Sequence, residues 1–482
     1  MNKLKGLYSE VPQGAKQAVI YGVSIALMKG VSLIILPFIA HHVTPDQFGK
    51  LEIITSIAML SSVFIGMGLE QTLFRFAGAE KNIEKRIDIA SNLFGITIII
   101  AILSFSISWL ASPFLSNVIP GNLTRYNIIL ILAVVSLEGC ISVPLGWMRM
   151  NNKVISFFLS TTSRAIIQAI LTVIFLLHER GISGVLEASL IATIIQSIIL
   201  FFYQLDSSGI SFKAETTKRT LIYGIPIVGS GILSFSQNGI DRWIVADTTS
   251  LVALAQYAIS LKFGLAVVLL FQPFTMWWNP KRFSILNEIN GKIRFAKSVS
   301  IGTVMLFIIT PLILMASPAI VHSLFPASYY GTIQYIIWVC IFMLIKELTE
   351  LFGVGCFSGD STKIQFFINL ISSFFAVALM FILSKYYFVY GVTTALIISQ
   401  LLRFTLFYII SQRNIKIIYP IRKLCKFVIL TGSLYTAYMY LNNDVSFIIM
   451  LIVTPIVQIS YAMNIGLIPK FLNRNGIYSC AS

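Results

Sequence analysis

Apolar runs of about 18 to 24 residues alternate with short polar segments along most of the chain. A helix of that length crosses a hydrocarbon layer of roughly 30 Å. Because backbone amides in lipid must be satisfied within their own segment, such runs form helices. The pattern predicts an all-α polytopic membrane protein with about fourteen transmembrane helices, near residues 18–40, 51–69, 87–110, 126–147, 154–177, 184–204, 220–240, 251–272, 297–316, 333–354, 364–383, 392–411, 420–441 and 446–469.

Composition agrees with this reading and narrows the function. Of the 482 residues 57% are hydrophobic and 11% charged, whereas a soluble domain has roughly 25% charged residues. The external connections are too short for a catalytic domain, and no G-x-x-x-x-G-K-[ST] phosphate loop occurs. The five cysteines and four histidines show no ligand spacing. We therefore expect a transporter that is not an enzyme and that has no metal or cofactor.

The basic residues predict the orientation in the membrane. With the N-terminus in the cytoplasm, most of the 35 Lys and Arg residues fall in cytoplasmic segments, where such residues collect. Both termini are then cytoplasmic, and the net charge of +16 reflects topology. Because these charges are spread over short loops that face an anionic leaflet, we expect no nucleic-acid partner. External segments contain only Lys50, Arg125, Arg180, Arg242 and Lys385.

A weak internal repeat predicts two lobes. Tyr21-Gly22 opens the first span and Tyr223-Gly224 opens the seventh, while Arg75-Phe76 and Arg282-Phe283 close the second and the eighth. Six spans separate equivalent helices, so the halves share one orientation and flank a cleft. The sequence therefore predicts two pseudo-symmetric six-helix lobes, residues 1–210 and 211–412, and an additional two-helix segment, residues 413–482.

Charged residues inside predicted spans are the candidate functional residues. An ionisable group in a membrane is costly, and by default it is functional. In the fifth span Thr161, Arg164 and Gln168 recur at helical spacing, so they share one face that can line an aqueous cleft. Five cations near mid-membrane predict a cationic cavity that binds an anion. These cations are Lys29, Arg164, Lys262, Lys346 and Arg403.

Acidic residues in the spans leave alternatives open. Glu138 lies at mid-span, and Glu350 lies one turn from Lys346. Lys346 and Glu350 either form a self-contained structural ion pair that holds helices together or belong to the cavity. Asp241 and Arg242, at the external end of the seventh span, are either a local helix-end ion pair or a gate.

Two stretches resemble a known family. KGVSLIILPFIAHHVTPDQFGKLEIITSIAMLSSVFIGMGLEQTLFRFAG, Lys29 to Gly78, resembles the opening helix pair of Wzx-type O-antigen and polysaccharide flippases of the multidrug/oligosaccharidyl-lipid/polysaccharide (MOP) exporter superfamily. YGIPIVGSGILSFSQNGIDRWIVAD, Tyr223 to Asp247, resembles the seventh helix of that family and the residues that follow it. The resemblance covers roughly residues 15–410.

The resemblance implies a flippase in the bacterial inner membrane. Such a protein moves an undecaprenyl-diphosphate-linked oligosaccharide from the cytoplasmic to the periplasmic leaflet by alternating access, for O-antigen, lipopolysaccharide or capsule assembly. Its partners would be membrane lipids, a polysaccharide polymerase and the chain-length machinery. The implied diphosphate-binding cations are Lys29, Arg164 and Lys262, and Glu138 would couple transport to a proton or sodium gradient. A multidrug/ion antiporter of the same superfamily and a sugar polymerase or glycosyltransferase are the alternatives.

Overall fold

The computed structural model describes residues 13–357, 363–440 and 444–468, and all regular secondary structure within those ranges is helical. Two short 3₁₀ turns, Ala327–Thr332 and Val354–Cys356, flank one of the helices. In chain order the α-helices are α1 Gln13–His42, α2 Pro45–Gly66, α3 Leu69–Ala79, α4 Ile83–Val118, α5 Arg125–Ser136, α6 Glu138–Met150, α7 Val154–Leu177, α8 Gly181–Ser207, α9 Ala214–Asn238, α10 Ile240–Thr248, α11 Leu251–Leu286, α12 Gly291–Leu324, α13 Ile333–Phe352, α14 Lys363–Asn414, α15 Ile421–Tyr440 and α16 Asp444–Asn464.

Each of the fourteen predicted spans overlaps helical structure. Within the described ranges, nine helical stretches are long and apolar enough to cross a membrane. One of them, the 52-residue α14, contains two predicted spans and turns between them at Phe388, whose φ is 52°. The predicted fold class, an all-α polytopic membrane protein with about fourteen membrane-spanning helices, is confirmed.

Three predicted spans are interrupted rather than continuous. The second span divides into α2 and α3 because Met67 and Gly68 adopt left-handed conformations, with φ of 42° and 63°, which a right-handed helix cannot continue. The fourth divides into α5 and α6 at Leu137, and the seventh into α9 and α10 at Gly239. Each pair of helices still makes up one candidate membrane span, Pro45–Ala79, Arg125–Met150 and Thr216–Thr248. Arg75 and Phe76 lie in α3, close to the end of this second span at Ala79.

Local sequence explains where several helices begin. Thr44 caps α2: its hydroxyl accepts a hydrogen bond from the Gln47 amide at 3.3 Å, and the Gln47 side chain accepts one from the Thr44 amide at 3.4 Å. Pro45 follows at a position where its missing amide hydrogen costs nothing. Asn82 and Thr124 cap α4 and α5 in the same way. The capped helices α2 and α5 both contribute residues to the wall of the cavity described below.

The described residues form two compact units that divide between Ala258 and Ile259. In the first unit, Leu73, Phe94 and Trp147 belong to a buried core that connects α3, α4 and α6. This unit also contains α9 and α10, which pack against α2. In the second unit, Phe271 and Phe295 belong to a separate buried core. The lobe boundaries after residues 210 and 412, and the pseudo-symmetry of the lobes, stay predictions.

A close backbone approach in the first unit gives a stability test. A Cβ atom added to Gly49 in α2 would lie 2.2 Å from the carbonyl oxygen of Leu251. Because that neighbour is backbone, it cannot move aside as a side chain would, so Gly49→Ala is expected to destabilise the fold by about 3 kcal/mol. Gly229→Ala is the control, since nothing lies within 4 Å of its added Cβ. Thermal unfolding in detergent micelles measures both, and equal midpoints would contradict the expectation.

Candidate substrate cavity and polar network

The first unit encloses a cavity of about 510 Å³. This volume lies within the range of roughly 300–1,000 Å³ that is typical of small-ligand sites. Its wall combines apolar side chains with a few hydroxyl and charged groups, as ligand sites usually do. The lining residues are Met28, Thr55, Ala58, Met59, Ser62, Glu70, Val134, Val135, Glu138, Ile141, Ser142, Leu145, Arg149, Phe157, Thr161 and Arg164.

Arg164 extends into this cavity from α7, and α8 holds it in place. Its Nη2 donates to Thr193 Oγ1 at 3.0 Å, and its Nη1 donates to Gln196 Oε1 at 3.3 Å. Thr161, one turn earlier on α7, also lines the cavity, as the helical spacing predicted. Two neutral partners orient the guanidinium without cancelling its charge, so Arg164 is arranged to receive an anion.

Glu138 faces the same cavity from the first turn of α6, directly after the interruption at Leu137. Its side chain is exposed to the cavity. In the described parts of the chain, the carboxylate forms no ion pair within 4 Å and no hydrogen bond. It does interact electrostatically with Arg164. The cavity therefore contains an opposite pair of charges that are near each other but not in contact.

Glu70 and Arg149 form a second charged pair on the cavity wall. Arg149 Nη2 contacts Glu70 Oε1 in an ion pair. The Arg149 guanidinium also lies over the Phe74 ring, 5.1 Å from its centroid, and over the Phe157 ring, 5.6 Å from its centroid. The exposed fractions of the two charged side chains are 35% for Arg149 and 26% for Glu70. The pair is thus fixed by aromatic contacts yet still reachable from the cavity.

Arg164, Glu138, Glu70 and Arg149 together make the charge of the cavity wall different from the prediction. The sequence argument expected a cationic cavity, whereas the wall holds two arginines and two glutamates. Lys29 is half-buried on α1 next to the lining residue Met28, and it is not itself among the lining residues. An anion in this cavity would therefore meet two carboxylates as well as two guanidinium groups.

The other predicted cations lie in the second unit. Lys262 on α11 and Lys346 on α13 are both half-buried, and each interacts with at least one other residue. Arg403 Nη2 forms an ion pair with Glu350 Oε1 at 3.1 Å, and Arg403 Nε donates to Asn369 Oδ1 at 2.9 Å. Glu350 is thus bonded to a helix other than its own. The binding and ion-coupling roles of these residues stay predictions.

Asp241 and Arg242 belong to a buried polar network in the first unit, far more extensive than a local helix-end pair. Arg242 Nε donates to Glu52 Oε2 of α2 at 3.0 Å, and Tyr257 Oη donates to Asp241 Oδ2 at 2.7 Å. The exposed fractions are 11% for Arg242 and 6% for Glu52. We call the following set the Glu52 network: Glu52, Ser56, Asp241, Arg242, Trp243 and Tyr257, in which Trp243 Nε1 donates to Ser56 Oγ.

The sequence argument missed three functional candidates, two because of where the predicted spans end and one because its partner is distant along the chain. Glu70 lies one residue beyond the predicted end of the second span, and Arg149 lies two residues beyond that of the fourth. The helices continue to Ala79 and Met150, so both charges remain in the helical wall. Glu52 is the second residue of the predicted second span, where the charge could have been noticed. Its partner Arg242 is 190 positions away, a pairing that helical spacing cannot reveal.

Comparison with known proteins decides the family. A family model described as "Polysaccharide biosynthesis protein" matches residues 38–334, which is more than half of the chain. The chain belongs to this family. No curated protein sequence matches significantly.

Solved structures of the MOP superfamily share the fold. The chain is similar to the lipid II flippase MurJ in an inward closed conformation, with a TM-score of 0.73, 14% identity, and coverage of 92% of this chain and 98% of that one. It is similar to an inward-facing multidrug resistance MATE family transporter, with a TM-score of 0.60, 14% identity, and coverage of 85% and 99%. A MOP superfamily transporter from Pyrococcus furiosus gives a TM-score of 0.56, 15% identity, and coverage of 84% and 98%. The predicted resemblance to MOP-type polysaccharide flippases is confirmed.

Proposed function

We propose that this polysaccharide biosynthesis protein flips an undecaprenyl-diphosphate-linked oligosaccharide from the cytoplasmic to the periplasmic leaflet of the bacterial inner membrane by alternating access. The observation that carries the proposal is Arg164, a half-buried cation on the wall of the cavity that is oriented by two neutral partners. An anionic head group that leaves water needs fixed positive groups in place of its hydration. The lipid tail remains in the bilayer.

The family and the fold support the same cargo class. The family description concerns polysaccharide biosynthesis, and MurJ is named as a lipid II flippase. Lys29, Lys262, Lys346 and Arg403 remain proposed substrate cations, and Glu350 a proposed ion-coupling group. Glu138, exposed in the cavity opposite Arg164, is the better placed coupling residue, for a proton or for sodium. Polysaccharide polymerase and chain-length machinery are the proposed protein partners.

A multidrug/ion antiporter is the second candidate, and one observation favours it. The cavity wall includes Glu70 and Glu138, and carboxylates attract cationic drugs. However, Glu70 is already paired with Arg149, and Arg164 would repel a cation beside Glu138. Vesicles that contain the purified chain should therefore move a fluorescent lipid-linked oligosaccharide and leave ethidium gradients unchanged. Ethidium efflux without movement of the lipid would favour the antiporter.

The membrane potential should bias the direction of flipping. An inside-negative potential favours outward movement of an anionic head group. For about two negative charges the free energy falls by roughly 4.6 kcal/mol per 100 mV, twice the single-charge value. In proteoliposomes with a potassium gradient and valinomycin, labelled lipid is expected to accumulate in the outer leaflet. Protein-free vesicles with the same gradient are the control. An unchanged distribution after collapse of the potential would remove this driving force from the proposal.

A further inference from the structure

The Glu70–Arg149 ion pair is on the cavity wall at the last turn of α6, whereas Glu138 lines the cavity from the first turn of the same helix. Arg149 is in the last turn of α6, next to the short connection to α7, and its guanidinium contacts Phe157 of α7. Arg164 follows Phe157 by seven residues, which corresponds to about 10 Å along a helix axis. The basic residues Arg149 and Lys153 predict that the connection between α6 and α7 faces the cytoplasm. A ligand that enters from that side therefore reaches Arg149 before Arg164.

The surroundings of Arg149 allow its anionic partner to change from a carboxylate to a phosphate. Two aromatic rings hold the Arg149 guanidinium through its faces, and cation–π contacts of this kind persist when the anionic partner changes. The planar fork of an arginine matches phosphate as well as it matches carboxylate. With 35% of its side chain exposed, Arg149 can be reached by a ligand, whereas Arg242, exposed by 11%, is enclosed by its network.

Glu70 can give up its partner at low cost. It occupies the first turn of α3, where the helix dipole stabilises a negative charge. It also faces the cavity, where water can replace the guanidinium. A singly charged anion offers Arg149 no more attraction than the carboxylate that is already there, whereas a diphosphate with about two charges offers more.

We propose that Arg149 is a phosphate-binding residue at the mouth of the cavity, and that the Glu70 carboxylate occupies it until a diphosphate group displaces the carboxylate. This inference rests on the proposed function and adds to it an order of events. The head group binds first at Arg149, with release of Glu70, and then reaches Arg164. The exchange also selects against singly charged anions such as chloride and acetate.

The test measures binding to the full-length protein in lipid nanodiscs. The two probes are radiolabelled inorganic diphosphate and undecaprenyl diphosphate incorporated into the disc. Glu70→Gln removes the competing charge, so both probes are expected to bind about tenfold more tightly. Arg149→Gln is expected to weaken binding about tenfold. Adding Glu70→Gln to Arg149→Gln should then give no further gain, because the competition acts through Arg149.

Controls separate this inference from misfolding and from failure of the proposed function. Asp46→Asn removes a carboxylate from the exposed Asp46–Lys50 pair, outside the cavity, and should leave both affinities unchanged. Glu70→Asp keeps the charge on a shorter side chain and should give a smaller gain than Glu70→Gln. An unchanged or weaker affinity in Glu70→Gln, with loss of binding in Arg164→Gln, would overturn the exchange and leave the proposed function standing. Unchanged binding in Arg149→Gln and Arg164→Gln alike would overturn both. If only undecaprenyl diphosphate shows the gain, the site recognises the lipid head group rather than free diphosphate.

Discussion

Replacing Glu52 by alanine is expected to lower the free energy of unfolding by about 3 kcal/mol, the lower end of the cost of breaking a buried ion pair. The reason is that Arg242, exposed by only 11%, would lose the carboxylate that it contacts at 3.0 Å. Asp241 Oδ1, 3.6 Å from Arg242, would compensate in part. Thermal and denaturant unfolding in detergent micelles measure the change.

A matched control comes from the same helix. Asp46→Ala breaks the Asp46–Lys50 pair, in which Asp46 is exposed by 52%, and exposed pairs contribute at most about 1 kcal/mol. The double variant Glu52→Leu with Arg242→Met replaces both charges by apolar groups and should recover most of the lost stability. If Glu52→Ala and Asp46→Ala unfold at the same midpoint, the Glu52 network does not stabilise this arrangement of α2 and α10.

Arg164→Ala is expected to reduce transport about 100-fold, which corresponds to the loss of one strong charge-assisted contact. Removal of the guanidinium takes an anion ligand away from the cavity wall, while Gln196 keeps its hydrogen bonds to Ser160. The fold should therefore survive. Flipping of a fluorescent lipid-linked oligosaccharide in proteoliposomes measures the loss, and surface polysaccharide in a strain lacking the natural gene measures it in cells.

The control for this prediction is Arg125→Ala. Arg125 also hydrogen-bonds a hydroxyl group, since its Nε donates to Ser112 Oγ at 2.9 Å, but it does not line the cavity. Arg164→Lys keeps the charge and loses the two-pronged geometry, so an intermediate rate is expected. Transport by Arg164→Ala at the rate of Arg125→Ala would show that no anion uses this residue.

Hydropathy predicted the fold because each apolar run must become a helix in lipid. The same argument does not place the interruptions at Met67, Leu137 and Gly239, because each interrupted stretch is still apolar enough as a whole to count as one span. Such interruptions are tolerated where protein or a water-filled cavity surrounds the backbone, and that surrounding is a tertiary property. Glycine was the available sequence signal at two of these interruptions, Gly68 and Gly239, because it readily adopts conformations outside the right-handed helix.

The candidate site was predictable in part. Helical spacing placed Thr161, Arg164 and Gln168 on one face; the first two line the cavity and Gln168 does not. Spacing along one helix could not show that Glu350 bonds Arg403, or that Arg242 bonds Glu52, because the partners are brought together by packing. Nor could it show that Glu70 neutralises Arg149, since both charges lay just outside the predicted spans. Pairing across helices decides which charges a ligand can use.

The Glu52 network also has a consequence for hydration. Three side-chain hydrogen bonds join its members in pairs, Arg242 with Glu52, Trp243 with Ser56 and Tyr257 with Asp241, and the charged groups have little solvent contact. When they separate, every carboxylate, hydroxyl and guanidinium must gain water molecules in exchange. Separation of these side chains would therefore take up water, and osmolytes excluded from protein surfaces would favour the joined arrangement.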